Sequence, residues 1–253
     1  MNYSSYIHDG TLCWTLTSNG YKYLTWNFVK HWRVACPSVP LLIVCADKPS
    51  YQFLQGEGIS CRLVDQGVKD YGIHIIPFKT AYFAVLNRMK LRLLHMFAND
   101  SAVKTCIYLD GDICVYRSFL HDVHERLLVC PLLFQCDENE RENECSKPCK
   151  NVCTGLIAWL HGNDNGIFIL NNEDLWKQTP EDQAWVNTAI KVSQVPYDTL
   201  PREFYPNGVR LTHIKRHPEL LEKAYLSHYN YRIGNSKIAD MRKYGDWLLP
   251  HIR

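Results

Sequence analysis

The chain has 253 residues, 46% of them apolar and 21% charged, and a net charge of +2 with His neutral. That balance builds a globular protein with a substantial core. It excludes a polyanion-coating surface, so no nucleic-acid partner is expected. No apolar run approaches the ~20 residues of a transmembrane helix, and no early stretch has signal-peptide length. The eleven cysteines are an odd set. Cys45, Cys106, Cys114 and Cys130 lie in apolar runs, where a thiol behaves as a small hydrophobe. The expected location is a cytoplasm, bacterial or viral-host, rather than a Golgi lumen. Cys145, Cys149 and Cys153 recur every fourth residue downstream of Cys136, which is not the paired spacing of a zinc knuckle.

Residues 11–17 alternate and are rich in β-formers, which predicts a strand. Ser18-Asn19-Gly20 is a turn signal. Tyr21, Leu24, Phe28 and Trp32 have helical spacing. Residues 40–46 form a continuous apolar run, hence a buried strand ending at Asp47. A short helix over 51–56 and a short strand over 61–64 follow. This β-α-β-α-β opening predicts a parallel sheet covered by helices. Phe83, Leu86, Met89, Leu93, Leu94 and Phe97 predict a long helix over 80–98, and 103–109 is the strand after it.

Beyond residue 115 the texture changes. Residues 127–134 read as a strand and 137–144 (DENERENE) as an exposed charged loop. Apolar segments at 156–160 and 166–170 are joined by a polar turn. Residues 181–192 read as a helix, and 196–208, rich in Pro and aromatics, as a structured loop. No repeat, low-complexity linker or domain break is visible. The expectation is one α/β domain over 1–253, with a nucleotide-binding half to about 115 and a second half from about 116.

The most informative segment is Ile107-Tyr108-Leu109-Asp110-Gly111-Asp112. An apolar strand that runs into two carboxylates one residue apart suits a hard divalent cation. Gly111 lets the backbone bend and leaves room for a phosphate. An Asp-Gly-Asp turn between two strands fits the same local pattern equally well.

Four pieces of the chain together carry a resemblance. They are Asn87-Arg88-Met89-Lys90-Leu91, then Tyr108-Leu109-Asp110-Gly111-Asp112, then Thr179-Pro180-Glu181-Asp182-Gln183 with Asn187, then His228-Tyr229-Asn230 with Gly234 and Lys237. In this order the chain resembles the GT-A nucleotide-diphospho-sugar transferases, the DxD glycosyltransferases similar to glycosyltransferase families 8 and 77. The resemblance implies a mixed, mostly parallel central sheet flanked by helices. It implies a Mn²⁺ or Mg²⁺ held by Asp110, Asp112 and His228, bridging the diphosphate of a nucleotide-sugar. Asp110 would bind the metal, the ribose or both. Lys237 would neutralise the diphosphate as the bond to the sugar breaks, and Lys90 or Arg88 would touch the donor.

The same resemblance places Thr17, Asn19 and Tyr21 at the base and ribose. Tyr21 either stacks on a uracil or is simply the first apolar position of its helix. Gln183 would lie beneath the anomeric carbon and Asp182 would hold sugar hydroxyls. Gly111, Thr154, Gly155, Asn230 and Gly234 complete the donor set. The family often carries Asn where this chain has Cys153, before Thr154-Gly155, and that departure weakens any transfer of sugar specificity. The implied activity is transfer of a hexose or pentose from a nucleotide-sugar, UDP-linked by likeness, to a glycan or glycoprotein acceptor in glycan biosynthesis, with retention. Were the enzyme inverting, Asp182, Glu181 or Asp164 would have to serve as base. Two other readings compete. One is a haloacid-dehalogenase-like phosphatase, which wants Thr or Val where Cys114 stands and an acidic pair near the chain start. The other is a non-catalytic nucleotide- or glycan-binding module of the same fold.

Overall fold

The computed structural model describes residues 2–64, 81–137, 149–162 and 181–250. β1 (Ile7–His8) folds back antiparallel onto β2 (Thr11–Thr17), and α1 (Lys22–Ala35) leads into β3 (Leu42–Cys45). α2 (Lys48–Gly56) and β4 (Arg62–Leu63) complete a parallel set. α3 (Ala81–Ala98) precedes β5 (Thr105–Leu109), β6 (Ile113–Val115) and α4 (Leu120–Val129). The second half supplies β7 (Leu132–Cys136), β8 (Val152–Leu160), α5 (Asp182–Ser193) and β9 (Asp198–Leu200). It continues with α6 (Gly208–Ile214), α7 (Pro218–Leu221), β10 (Leu226–His228) and α8 (Asn235–Lys243).

The main sheet has the order β4-β3-β2-β5-β8-β7-β9. It is parallel from β4 to β5, and β8 runs antiparallel between β5 and β7. The expected mixed, mostly parallel sheet is therefore present. Its strands β2, β3, β5, β7 and β8 are buried along nearly their whole length because both faces are covered. Along β5, Cys106 and Tyr108 face a cluster with Trp14, Phe97 and Trp159. Ile107 and Leu109 face the opposite cluster with Phe28, Trp32 and Phe119. The period of two that separates these sets is the pleat itself.

Two expectations need correction in the second half. Residues 127–129 close α4 instead of opening a strand, and β7 begins at Leu132. Val123 and Leu127 bury one helical stripe, Leu128 and Val129 remain exposed, and Arg126 pairs with Asp122 at 2.8 Å one turn earlier. A helical period explains that burial and a strand period does not. The loop at 196–208 also contains β9, which pairs parallel with β7. The apolar segment at 166–170, and with it Cys145, Asp164 and most of the charged run at 137–144, lie outside the described residues.

Cys13, Cys36, Cys45, Cys61, Cys106, Cys114, Cys130 and Cys153 are free thiols, whereas Cys136 is disulfide-bonded, which runs against the expected reducing compartment. Among the described residues, no helix is long and apolar enough to cross a membrane.

Candidate active site

The acidic step sits where β5 leaves the sheet. The Asp110 N–H donates to the Gly155 carbonyl at 2.7 Å, and the Ile113 N–H turns back to the Asp110 carbonyl at 3.2 Å. The chain then enters β6, which pairs antiparallel with β10 so that Ile113 faces His228. The Tyr229 N–H donates to the Asp112 carbonyl at 3.3 Å, and the His228 N–H to the Pro206 carbonyl at 3.0 Å. This two-stranded ribbon brings a histidine from near the chain's end onto the acidic pair. The turn reading and the cation reading of Asp110-Gly111-Asp112 thus coexist, because the turn presents the carboxylates.

His228 Nε2 lies 3.2 Å from Asp112 Oδ1 and 3.6 Å from Asp110 Oδ2. One ligand atom from each of the three residues falls within 4.8 Å of the other two. Among the described residues this is the one such group of His, Cys, Asp and Glu. Nε2 is buried and makes no aligned hydrogen bond, so its closeness to Asp112 is charge attraction without a directed donor. A buried nitrogen with an unused direction, beside two carboxylates, is a donor set that fits Mn²⁺ or Mg²⁺.

Two lysines hold the remaining carboxylate oxygens. Lys237 Nζ contacts Asp112 Oδ2. Lys90 Nζ bridges Asp110 Oδ1 at 3.2 Å and Asp182 Oδ2 at 2.7 Å. The Tyr108 hydroxyl donates to Asp110 Oδ1 at 2.5 Å, and the Thr154 hydroxyl to Asp182 Oδ2 at 2.7 Å.

Burial alone would raise the Asp112 carboxyl, but Lys237 and His228 hold it well below the usual carboxylate range. Burial also opposes charge on His228, yet Asp112 pushes it up to about 10. Burial works against Lys90 and Lys237 as well, and the neighbouring carboxylates raise both. Asp182 is lowered, with Lys90 overcoming the cost of burial.

These groups line a cleft of about 410 Å³. Of the expected donor residues, Thr17, Tyr21, Lys90, Asp110, Gly111, Thr154, Gly155 and Asn230 line it, as do Asp112, Asp182, Gln183, His228 and Lys237. Asn19, Arg88 and Gly234 do not. Asn19 is tied into the turn, its N–H donating to Asp47 Oδ2 at 2.8 Å and its Oδ1 accepting from Lys22 at 2.9 Å. Arg88 is two residues from buried Lys90 on α3, about 200° around the helix. Gly234 precedes α8 as its N-cap.

The two glycines have packing reasons of their own. A Cβ on Gly155 would stand 1.9 Å from His228 Cε1, so the imidazole occupies the space that a side chain would take. A Cβ on Gly111 would meet Thr25 Oγ1 at 2.6 Å, so contact with α1 adds to the sequence argument about room for a phosphate.

Asp137 is the residue that sequence reasoning missed. It heads the charged run, yet it lines the cleft and accepts from Gln183 Nε2 at 2.7 Å and from Asn230 Nδ2 at 3.0 Å. Its position directly after the apolar run 132–136 was the available signal. Asn230 Nδ2 also approaches Cys153 Sγ at 3.6 Å, so an amide stands beside Cys153. Asn187 clamps α5 to β8, accepting from the Val152 N–H and donating to the Val152 carbonyl, both at 2.9 Å.

No protein-family model and no curated protein matches the chain. Solved structures do. The galactosyltransferase LgtC, in complex with donor and acceptor sugar analogs, is similar at a TM-score of 0.54 and 13% identity, with 86% of each chain covered. Mouse xyloside xylosyltransferase 1 is similar at 0.54 and 7% identity, over 87% of this chain and 97% of that one. The bifunctional glycosyltransferase WbbM is similar at 0.60 and 11% identity, over 98% of this chain and 50% of that one. At such identities the likeness is one of fold. With its Asp-x-Asp step and a histidine gathered at the end of a central strand, the chain has the GT-A glycosyltransferase fold.

Proposed function

We propose that the protein is a metal-dependent glycosyltransferase that moves a sugar from a nucleotide-diphospho-sugar, a UDP-sugar, to a glycan or glycoprotein acceptor with retention of configuration. The observation that carries this reading is the meeting of Asp110, Asp112 and His228 with Lys90, Lys237, Asp182 and Gln183 in one cleft. A Mn²⁺ or Mg²⁺ bound by Asp110, Asp112 and His228 supplies Lewis-acid stabilisation of the diphosphate. Lys237, which contacts Asp112 Oδ2, would meet the negative charge that grows on the leaving diphosphate. Thr17 and Tyr21 lie along the nucleoside, and Lys90 keeps Asp182 in place for sugar hydroxyls. Asp137 fixes the amide of Gln183, which lies under the anomeric carbon. We read the many free thiols as favouring a cytoplasm.

Retention is favoured over inversion because an inverting enzyme needs a competent carboxylate base. Asp182 is held ionised by Lys90 and Thr154 and is a weak one. In retention the acceptor hydroxyl attacks on the face from which the diphosphate departs. Its proton passes to the departing diphosphate oxygen, and no protein carboxylate need take it. The phosphatase reading is disfavoured by the position of Asp110-Gly111-Asp112 after β5, behind four earlier strands. A donor screen with Mn²⁺ tests the proposal. UDP release from one nucleotide-sugar in the presence of an acceptor is the expected result. Phosphate release from small esters would favour the phosphatase, and donor binding without turnover would favour a binding module.

A further inference from the structure

His228 can offer Nε2 to a cation only if its other nitrogen carries the proton. Nδ1 lies 2.9 Å from Gln135 Oε1. Cys153 Sγ, at 3.7 Å, is a more distant and weaker acceptor. Gln135 is fully buried, and its Nε2 donates to the Tyr205 carbonyl at 3.4 Å. That carbonyl can only accept, so it turns the amide nitrogen away from the imidazole and the amide oxygen towards it. The oxygen in turn requires a hydrogen on Nδ1.

The backbone explains how a β7 side chain reaches this point. β7 and β8 pair regularly as far as Phe134 with Ile157, and the register then shifts so that Gln135 faces Cys153. Thr154, Gly155 and Leu156 intervene on β8. A bulge of this kind re-aims side chains. Here it releases Thr154 and Gly155 into the cleft and sets Gln135 behind the imidazole.

We propose that Gln135 is a positioning residue that holds His228 with Nδ1 protonated, so that Nε2 faces the cation held by Asp110 and Asp112. The inference rests on the metal reading of the site. Gln135 touches neither donor nor acceptor and lies outside the cleft lining.

The test is titration of Mn²⁺ into metal-free protein, with free Mn²⁺ read by electron paramagnetic resonance. Gln135→Leu is expected to bind Mn²⁺ about 10–100-fold more weakly. Gln135→Glu, which keeps an acceptor for Nδ1–H, is expected to restore the affinity. In Mg²⁺-loaded protein, ¹⁵N resonances of the histidines are expected to report a protonated Nδ1 and a bare Nε2 for His228. Gln135→Leu should lose that single tautomer. If the Leu variant does not fold, Gln135→Met, of matching length, takes its place. Unchanged affinity and tautomer in the folded apolar variant overturn the role of Gln135 and leave the metal site standing. Failure of the wild-type protein to bind Mn²⁺ overturns the site itself, and the proposal with it.

Discussion

Two buried Asp–Lys pairs differ in what the chain places around them. Asp246 meets Lys215, the Tyr116 hydroxyl at 2.8 Å and the Tyr229 hydroxyl at 2.5 Å. Its backbone carbonyl accepts from Asn27 Nδ2 at 2.9 Å and His31 Nε2 at 2.8 Å. The side-chain contacts converge on Oδ2, and none of these residues lines the cleft. Asp112 also meets a lysine and faces a histidine, but the histidine's Nε2 makes no directed bond and the group opens on the cleft. The same residue types thus build a closed clasp in one place and a group that opens on a cleft in the other. The orphaned imidazole nitrogen and the open cleft, more than charge or burial, separate them.

That difference can be broken from either side. Asp112→Asn is expected to lower kcat by at least about 10²–10³-fold, the scale of losing a major electrostatic group at the reacting centre. Its cost in stability should be small, because Lys237 borders the cleft and can regain water. Asp246→Ala is expected to do the opposite. Urea unfolding should show a loss of about 3–5 kcal/mol, since Lys215, its side chain 2% exposed, is left buried without its counter-charge. The Mn²⁺ affinity of the folded fraction should change less than in Asp112→Asn. If Asp112→Asn proved the more destabilising, the distinction between clasp and site would collapse.

Gly155→Ala sharpens the comparison at an intermediate scale. The added methyl would collide with His228, and overpacking of this kind costs about 1–3 kcal/mol. If His228 is a ligand, its displacement must also weaken Mn²⁺ binding, which calorimetry would detect. Normal affinity in a destabilised variant would make His228 a core histidine with no part in metal binding.

What was legible in the sequence follows the same divide. β2 alternates in β-formers, β3 and β5 are mostly apolar runs, α1 and α3 have helical periods, and local pattern suffices for them. Asp110 and Asp112 stood out because two carboxylates after such a run are conspicuous. His228 and Lys237 were reached by resemblance alone, since no local signal says that β10 pairs with β6. Gln135 was out of reach for another reason, and Asp137 had no signal beyond its place after the run 132–136. Their roles come from the shifted register of β7 on β8 and from side chains on α5 and after β10. The misread strand at 127–134 shows the limit of short apolar runs, in which Leu127 and Phe134 look alike although one closes a helix and the other sits in a sheet.

Asp182 falls between the two clusters and gives the smallest effect. It lines the cleft as Asp112 does, yet Lys90 and Thr154 occupy it as fully as Asp246 is occupied. Its carboxyl titrates lower in the folded chain than in the unfolded one, because Lys90 outweighs the cost of burial. The folded state therefore binds fewer protons than the unfolded state below the ordinary aspartate value of about 3.9. The stabilisation is complete above that pH and is lost as pH falls through the folded value. Asp182→Asn should flatten this acid limb of the stability curve and leave its slope near neutrality unchanged. If Asp182 instead belonged with Asp112 as a partly satisfied group, adding Mn²⁺ or UDP would alter the acid limb of the wild-type protein, whereas a closed ion pair predicts that the limb stays where it is.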